Sequence, residues 1–253
     1  MPQPSEQEAV PRTEMGLEFE YKWRVDDLFE DADPTHPESG DALLTSWLEK
    51  AGEAAGAESA RLYTLVQSAL HFDTPDQLLD RNGLNLRALI NYGALKGTGW
   101  LELKETVRWC QDRREALEFG EMMPHQAFSR RLRTRDCAPI DRLYQRLSLT
   151  EDVDLQPFVR VVQRRRKMTM RLPFGFPLPI TLDTTQIWPA GDPDARPSFF
   201  WWFEAEVNTP DSRALDALDR FAAVVSDTLG RRPVRLTKPE IYAQTAGLTA
   251  ASR

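Results

Sequence analysis

Residues 17–25 (LEFEYKWRV) alternate apolar and charged side chains, the period-two pattern of a strand with one buried face. The same reading gives strands over 61–72, 84–92, 100–108, 158–172, 178–188 and 198–208, with a further short strand starting at Val234. The GALKGTG turn joins 84–92 to 100–108 as a hairpin. Helical periodicity appears in 41–57, where Leu43, Leu44, Trp47 and Leu48 share one face. It is strongest in 211–229, which starts at a Thr-Pro-Asp cap and stops at Gly230. Residues 109–148 are charged and read as a helical insert lying on the sheet, and 1–14 read as a disordered polar tail. The chain beyond that tail, 15–253, reads as one domain of antiparallel strands with helices between them.

The faces of the strands are unusual. Glu18, Glu20 and Lys22 oppose Leu17, Phe19, Tyr21 and Trp23. Glu204, Glu206 and Asn208 oppose Phe199, Trp201, Phe203, Ala205 and Val207, and Glu102, Lys104 and Thr106 oppose Leu101 and Leu103. For any single strand, a sheet with one solvated face accounts for this alternation. Here, however, acids gather on some strands and bases on others, and the apolar faces are loaded with aromatics. A closed barrel accounts for both: its outer wall packs on helices and its inner wall is a charged tunnel. Buried charges are costly unless paired or bound to a ligand. Separate acidic and basic patches therefore suit a polyanion with divalent metal, held by carboxylates as a hard cation, while lysines and arginines take the remaining oxygens.

Composition narrows the classes. The 253 residues carry 32 Lys and Arg against 39 Asp and Glu, a net charge of −7, so no nucleic-acid partner is expected. No window approaches a membrane span, and the start lacks the basic and apolar regions of a signal peptide. Two cysteines without metal-ligand spacing suggest free thiols and a cytoplasmic location. The three histidines form no zinc motif, and His71 reads as a structural residue by its turn.

EFEYK (Glu18, Glu20, Lys22) resembles the ExExK signature of the CYTH proteins, the triphosphate tunnel metalloenzymes. Further elements follow in that family's order: HFDTP at His71, GLNLR ending at Arg87, LELK ending at Lys104, a basic strand with Arg160, Arg164 and Arg166, Asp183, the pair Glu204 and Glu206, and Lys238. The resemblance spans about residues 16–245. It implies an α+β fold: a closed antiparallel eight-stranded β-barrel, the triphosphate tunnel, with surrounding helices. It also implies Mg²⁺ or Mn²⁺ on Glu18, Glu20, Glu204, Glu206 and Asp183. Phosphate binding falls to Lys22, Arg87, Lys104, Arg164, Arg166 and Lys238, and catalysis to Glu18, Glu20 and Lys22. Two departures stand out. Leu89 occupies the position of the family's second arginine, and in the crowded run 163–167 one register step exchanges the inward set.

The implied activity is metal-dependent hydrolysis of a triphosphate: inorganic, nucleoside or thiamine triphosphate. Adenylate cyclase, a polyphosphate-handling enzyme and a non-catalytic module for phosphorylated ligands are the alternatives. The expected partner is a triphosphate-containing small molecule or polyphosphate, with no membrane partner. The sequence does not fix the oligomeric state, a dimer being one option.

Overall fold

Eight strands whose side chains alternate between an apolar and a charged face close on themselves into one antiparallel barrel. The computed structural model describes residues 12–29, 40–58, 62–92, 98–192, 194–237 and 240–241. In chain order the elements are β1 (Arg12–Arg24), α1 (Asp41–Ala55), β2 (Leu62–Asp73), α2 (Leu78–Arg81), β3 (Leu84–Tyr92), β4 (Thr98–Cys110), β5 (Arg113–Pro124), α3 (Phe128–Thr134), α4 (Ala138–Leu147), β6 (Gln156–Arg171), β7 (Pro177–Pro189), β8 (Ser198–Val207) and α5 (Ser212–Leu229). Around the barrel the strands run β1-β5-β4-β3-β2-β6-β7-β8, and β8 pairs back onto β1.

The outer wall holds two apolar cores. On β1, β7 and β8, Phe19, Tyr21, Trp23, Leu182 and Phe203 pack against Leu44, Trp47 and Leu48 of α1 and Leu218 and Phe221 of α5. Trp47 meets Phe203 edge-on with ring centres 4.5 Å apart, a pairing that adds about 0.5–1.5 kcal/mol beyond its area. On β3 and β4, Leu86, Leu101 and Leu103 pack against Phe128, Ile140 and Leu143 of α3 and α4. The Asp211 carboxylate caps α5 by accepting from the Arg213 amide at 2.9 Å, and Gly230 ends the helix at φ 63°. No described helix is long and apolar enough to cross a membrane.

Three expectations are corrected. Residues 109–124 are the end of β4 and the whole of β5, not helix; helices occupy only the later part of the supposed insert. The strand is disguised because β5 carries charge on both faces, Arg113, Glu115 and Glu121 outward and Arg114 and Glu118 inward, which erases the alternation. Residues 12–14 belong to β1, where they pair with 120–122 of β5, and are not part of a tail. The segment at Val234 is not a strand, so the eighth strand is β5; the Val234 amide instead donates to the Lys22 carbonyl at 2.7 Å.

Candidate functional site

Cross-strand partners share a face of a sheet, so the pairing of Glu20 with Arg114 and Glu206, and of Lys22 with Glu204, sets which side chains enter the barrel. Going round the wall, the interior receives Glu18, Glu20 and Lys22 from β1, Arg114 and Glu118 from β5, Glu102 and Lys104 from β4, and Arg87 from β3. It then receives Gln67 from β2, Arg165 and Lys167 from β6, Asp183 from β7, and Glu204 and Glu206 from β8. Part of this interior is a cavity of about 340 Å³ reaching Glu18, Arg87, Lys104, Arg165 and Glu206.

Two groups stand out among the interior acids. One oxygen each of Glu18, Glu20 and Glu206 lies within 4.8 Å of the others. Burial, and next the charge of Glu118, push the Glu18 carboxyl up. Burial followed by Glu18 pushes Glu206 up to about 7. Glu20 behaves oppositely: burial alone would raise it, but Lys22 and Arg114 outweigh burial and hold it well below the usual range. Carboxylates crowded to this degree repel one another, and hard oxygen donors at this spacing fit a divalent cation such as Mg²⁺ or Mn²⁺. Asp183 and Glu204 form the second group. Both accept from Arg165, at 2.8 Å and 2.9 Å, and Glu204 lies 3.6 Å from the Lys22 ammonium. These two acids neutralise bases and stand outside the trio.

Each base has an acidic partner. Arg114 donates to Glu20 at 2.9 Å, and Lys22 lies 3.2 Å from the same carboxylate. Lys104 bridges Glu18, at 2.8 Å, and Glu118. Arg87 meets Glu102 at 2.7 Å, and Lys167 lies 3.8 Å from Glu206. For Lys104, burial would lower the ammonium, but Glu118, Glu18 and Glu102 raise it, so it stays charged. An entering phosphate can exchange these carboxylate partners for its own oxygens while the positive charges keep their places.

The register of β6 decides the remaining assignments. Arg165 points inward, whereas Arg164 and Arg166 lie on the outer face, opposite Val66 and Thr64. Arg166 donates to Asp41 of α1 at 2.7 Å. Arg160 is exposed with its guanidinium over the Trp188 ring at 5.5 Å. The expectation that Arg164 and Arg166 enter the tunnel is therefore corrected: Arg165 enters instead, because the odd-numbered set faces a barrel interior in which Gln67 pairs with Gln163. Lys238 lies outside the described residues. Arg114, Glu118 and Lys167 are inward residues that the sequence pattern does not single out, and Glu102, on the charged face of its strand in the sequence, is given a partner only by the structure.

The HFDTP turn is structural. Asp73 accepts from the amides of Thr74, Leu79 and Asp80 at 2.7–3.0 Å and so begins α2. His71 is buried and contacts Asn85 at 2.9 Å. Trp201 belongs to the outer wall, stacked on Phe29 at 4.1 Å. Trp202 points inward and joins Ala69, Val161, Ile187, Phe200 and Ile241 in an apolar cluster, so part of the barrel interior is sealed by hydrocarbon.

No protein-family model and no curated protein matches the chain. Solved structures do match. One is a Hippeastrum protein, described as an adenylyl cyclase candidate with a dominant triphosphatase activity; it is 17% identical, with 90% of this chain and 96% of that one covered at a TM-score of 0.54. Another is an adenylate cyclase candidate from Bacillus halodurans, 14% identical, with 90% and 98% covered at a TM-score of 0.55. At these identities the likeness is one of fold, and it extends over nearly the whole barrel.

Proposed function

We propose that this CYTH-like tunnel domain is a metal-dependent phosphohydrolase that binds a triphosphate in the barrel and cleaves its terminal phosphoanhydride. The observation that carries the reading is the trio of Glu18, Glu20 and Glu206 within 4.8 Å, in one tunnel with Lys22, Arg87, Lys104, Arg114 and Arg165. Carboxylates alone would repel a polyanion and bases alone would hold it without activating it. A divalent cation on the trio would supply Lewis-acid polarisation of a phosphoryl oxygen. Arg87, Lys104 and Arg165 line the cavity and would orient the phosphates by charge-assisted hydrogen bonds. Arg114 and Lys22 hold Glu20 in its ionised form. The apolar cluster around Trp202 excludes water from one side of the chamber and so strengthens each of these interactions.

The test is phosphate release from inorganic triphosphate, ATP and thiamine triphosphate with Mg²⁺ or Mn²⁺, comparing wild type with Glu20→Gln. Metal-dependent release that falls at least about a hundredfold in the variant is expected, since the interactions removed are worth several kcal/mol in the transition state. Release unaffected by Glu20→Gln places the chemistry elsewhere. Pyrophosphate with cyclic AMP in place of orthophosphate would make the protein a cyclase.

A further inference from the structure

Outside the tunnel, between the barrel wall and the two short helices, lies a groove of about 640 Å³ that the hydrolase reading does not use. We infer that it binds a single-chain anionic amphiphile, a long-chain fatty carboxylate. The floor is the outer face of β2 and β3 with Leu70 and Ile90, and the sides are Leu132 of α3, Tyr144 of α4 and Leu155 of the segment leading into β6. All five pack on the second apolar core and yet stay only partly buried. Helix length is the reason. α1 and α5 are 15 and 18 residues long and bury Leu182 and Phe203 of their wall fully, whereas α3 and α4, at 7 and 10 residues, leave Leu70 and Ile90 half-covered. The volume is that of a pocket for a small organic ligand.

Polar contacts hold one side of the groove in place without filling it. The Val153 amide donates to the Tyr144 hydroxyl at 3.2 Å, and Arg135, paired with Asp152, lies over the Tyr144 ring at 4.8 Å. The rim also carries cations that these contacts leave over. Arg133 borders the groove, and the exposed Arg160 is the cross-strand partner of Leu70 on the same outer face. Neither has an acidic partner among the described residues. With Asp152 taken by Arg135, Asp154 is the one acid of the lining set against these two guanidiniums. The balance at the rim is therefore positive, although the chain as a whole carries −7. A guanidinium fork takes a carboxylate through two parallel charge-assisted hydrogen bonds.

The floor selects hydrocarbon over an extended peptide. β2 pairs with both β3 and β6, and β3 with both β2 and β4, so the closed barrel offers no strand edge to an incoming main chain. Peptide groups laid on Leu70 and Ile90 would lose water and gain no partner. An acyl chain has no such groups to satisfy. Its tail covers the half-buried side chains of the second core while its carboxylate stays at the cationic rim.

The experiment titrates the full chain with cis-parinaric acid, a fatty carboxylate that fluoresces in apolar sites, below its critical micelle concentration. One probe should bind per chain. Saturated linear carboxylates should displace it with affinity rising about fourfold per methylene until the groove is full. The methyl ester and the alkylammonium of the same length should bind about tenfold more weakly or worse, a comparison made on the wild type alone. Ser129→Trp, at an exposed position bordering the groove, should block binding, and Arg133→Glu should weaken it about tenfold or more. Arg130→Glu, exposed on the same helix but off the groove, should leave it unchanged. Circular dichroism melts check that the three variants fold. No saturable binding, equal affinity for the ester or the ammonium, or equal weakening by Arg130→Glu would overturn the inference. So would cosedimentation with anionic vesicles, or a concentration-dependent dimer, that Ser129→Trp abolishes, because a membrane or a second copy would then be the occupant.

Discussion

Arg165 on β6 donates to Glu204 on β8 at 2.9 Å, reaching across the whole width of β7. On the way its guanidinium also engages Asp183 of β7 at 2.8 Å and Gln67 of β2 at 3.4 Å. One side chain thereby ties four of the eight strands together from within. A planar fork with five donors can do this and an ammonium cannot.

Removing that fork leaves two buried carboxylates facing each other with the Lys22 ammonium 3.6 Å from one of them. Arg165→Leu should therefore cost about 3–5 kcal/mol of folding stability, the usual result of deleting one partner of a buried ionic network. Arg164→Leu, one residue away on the outer face, should change stability by no more than about 0.5 kcal/mol. Urea unfolding of the two variants side by side reads the register directly, and a larger loss for Arg164→Leu than for Arg165→Leu would mean that the strand is turned the other way.

The outer face of β4 and β5 carries a second acidic device, which docks α4. Glu121 accepts from the Ala138 amide at 2.9 Å, at the first turn of that helix, and Glu105 accepts from Arg142 at 2.9 Å and from Arg146. Glu121 thus does from a neighbouring strand what an N-cap side chain does locally. Glu121→Ala should cost about 0.5–2 kcal/mol, the range for loss of a cap. Hydrogen exchange should show faster opening of α4 than of α5, and unchanged exchange in α4 would contradict the docking role.

Much of this architecture is written in alternation. Phe19, Tyr21 and Trp23 opposing Glu18, Glu20 and Lys22 is enough to place β1 with a wet side and a dry side, and the same logic places Glu204 and Glu206. What failed was local contrast. In β5 charged residues serve the tunnel through Arg114 and Glu118 and the helix docking surface through Glu121, so no period-two signal survives and Arg114 went unseen. In β6 four consecutive cations erase the signal as well, and only pairing with β2 and β7 shows which of them enters the barrel. The separation of Asp183 and Glu204 from the carboxylate trio has no sequence trace. It follows from the reach of Arg165.

The two thiols are free and sit in different surroundings. Cys110 is exposed at the end of β4, whereas Cys137 is buried before α4 and burial pushes its thiol up to about 11. Thiolate, not thiol, reacts with disulfide reagents. One thiol per chain should therefore react in the native protein and two after unfolding. Two reacting natively at similar rates would show that the α4 region opens freely.

The pH dependence of the carboxylate trio has a definite sign. Glu206 titrates at about 7 in the folded chain against an ordinary value of 4.5, so between those limits the folded state binds more protons than the unfolded state. Stability of the metal-free protein should accordingly fall as pH rises from about 4.5 to about 7, and Glu18, also raised, adds to the same trend. Glu20 has the opposite sign. Its depressed value gives stability that is present above the ordinary carboxylate range and is lost only in acid, as pH falls toward its folded value. A divalent cation competes with the proton on Glu206, so the rise in melting temperature produced by saturating Mn²⁺ should be larger at pH 8 than at pH 6. Glu206→Gln should remove most of that difference, because the amide neither titrates nor offers a charged oxygen. Thermal unfolding with and without Mn²⁺ at both pH values measures this in one series. A cation effect independent of pH in the wild type would take Glu206 out of the metal site.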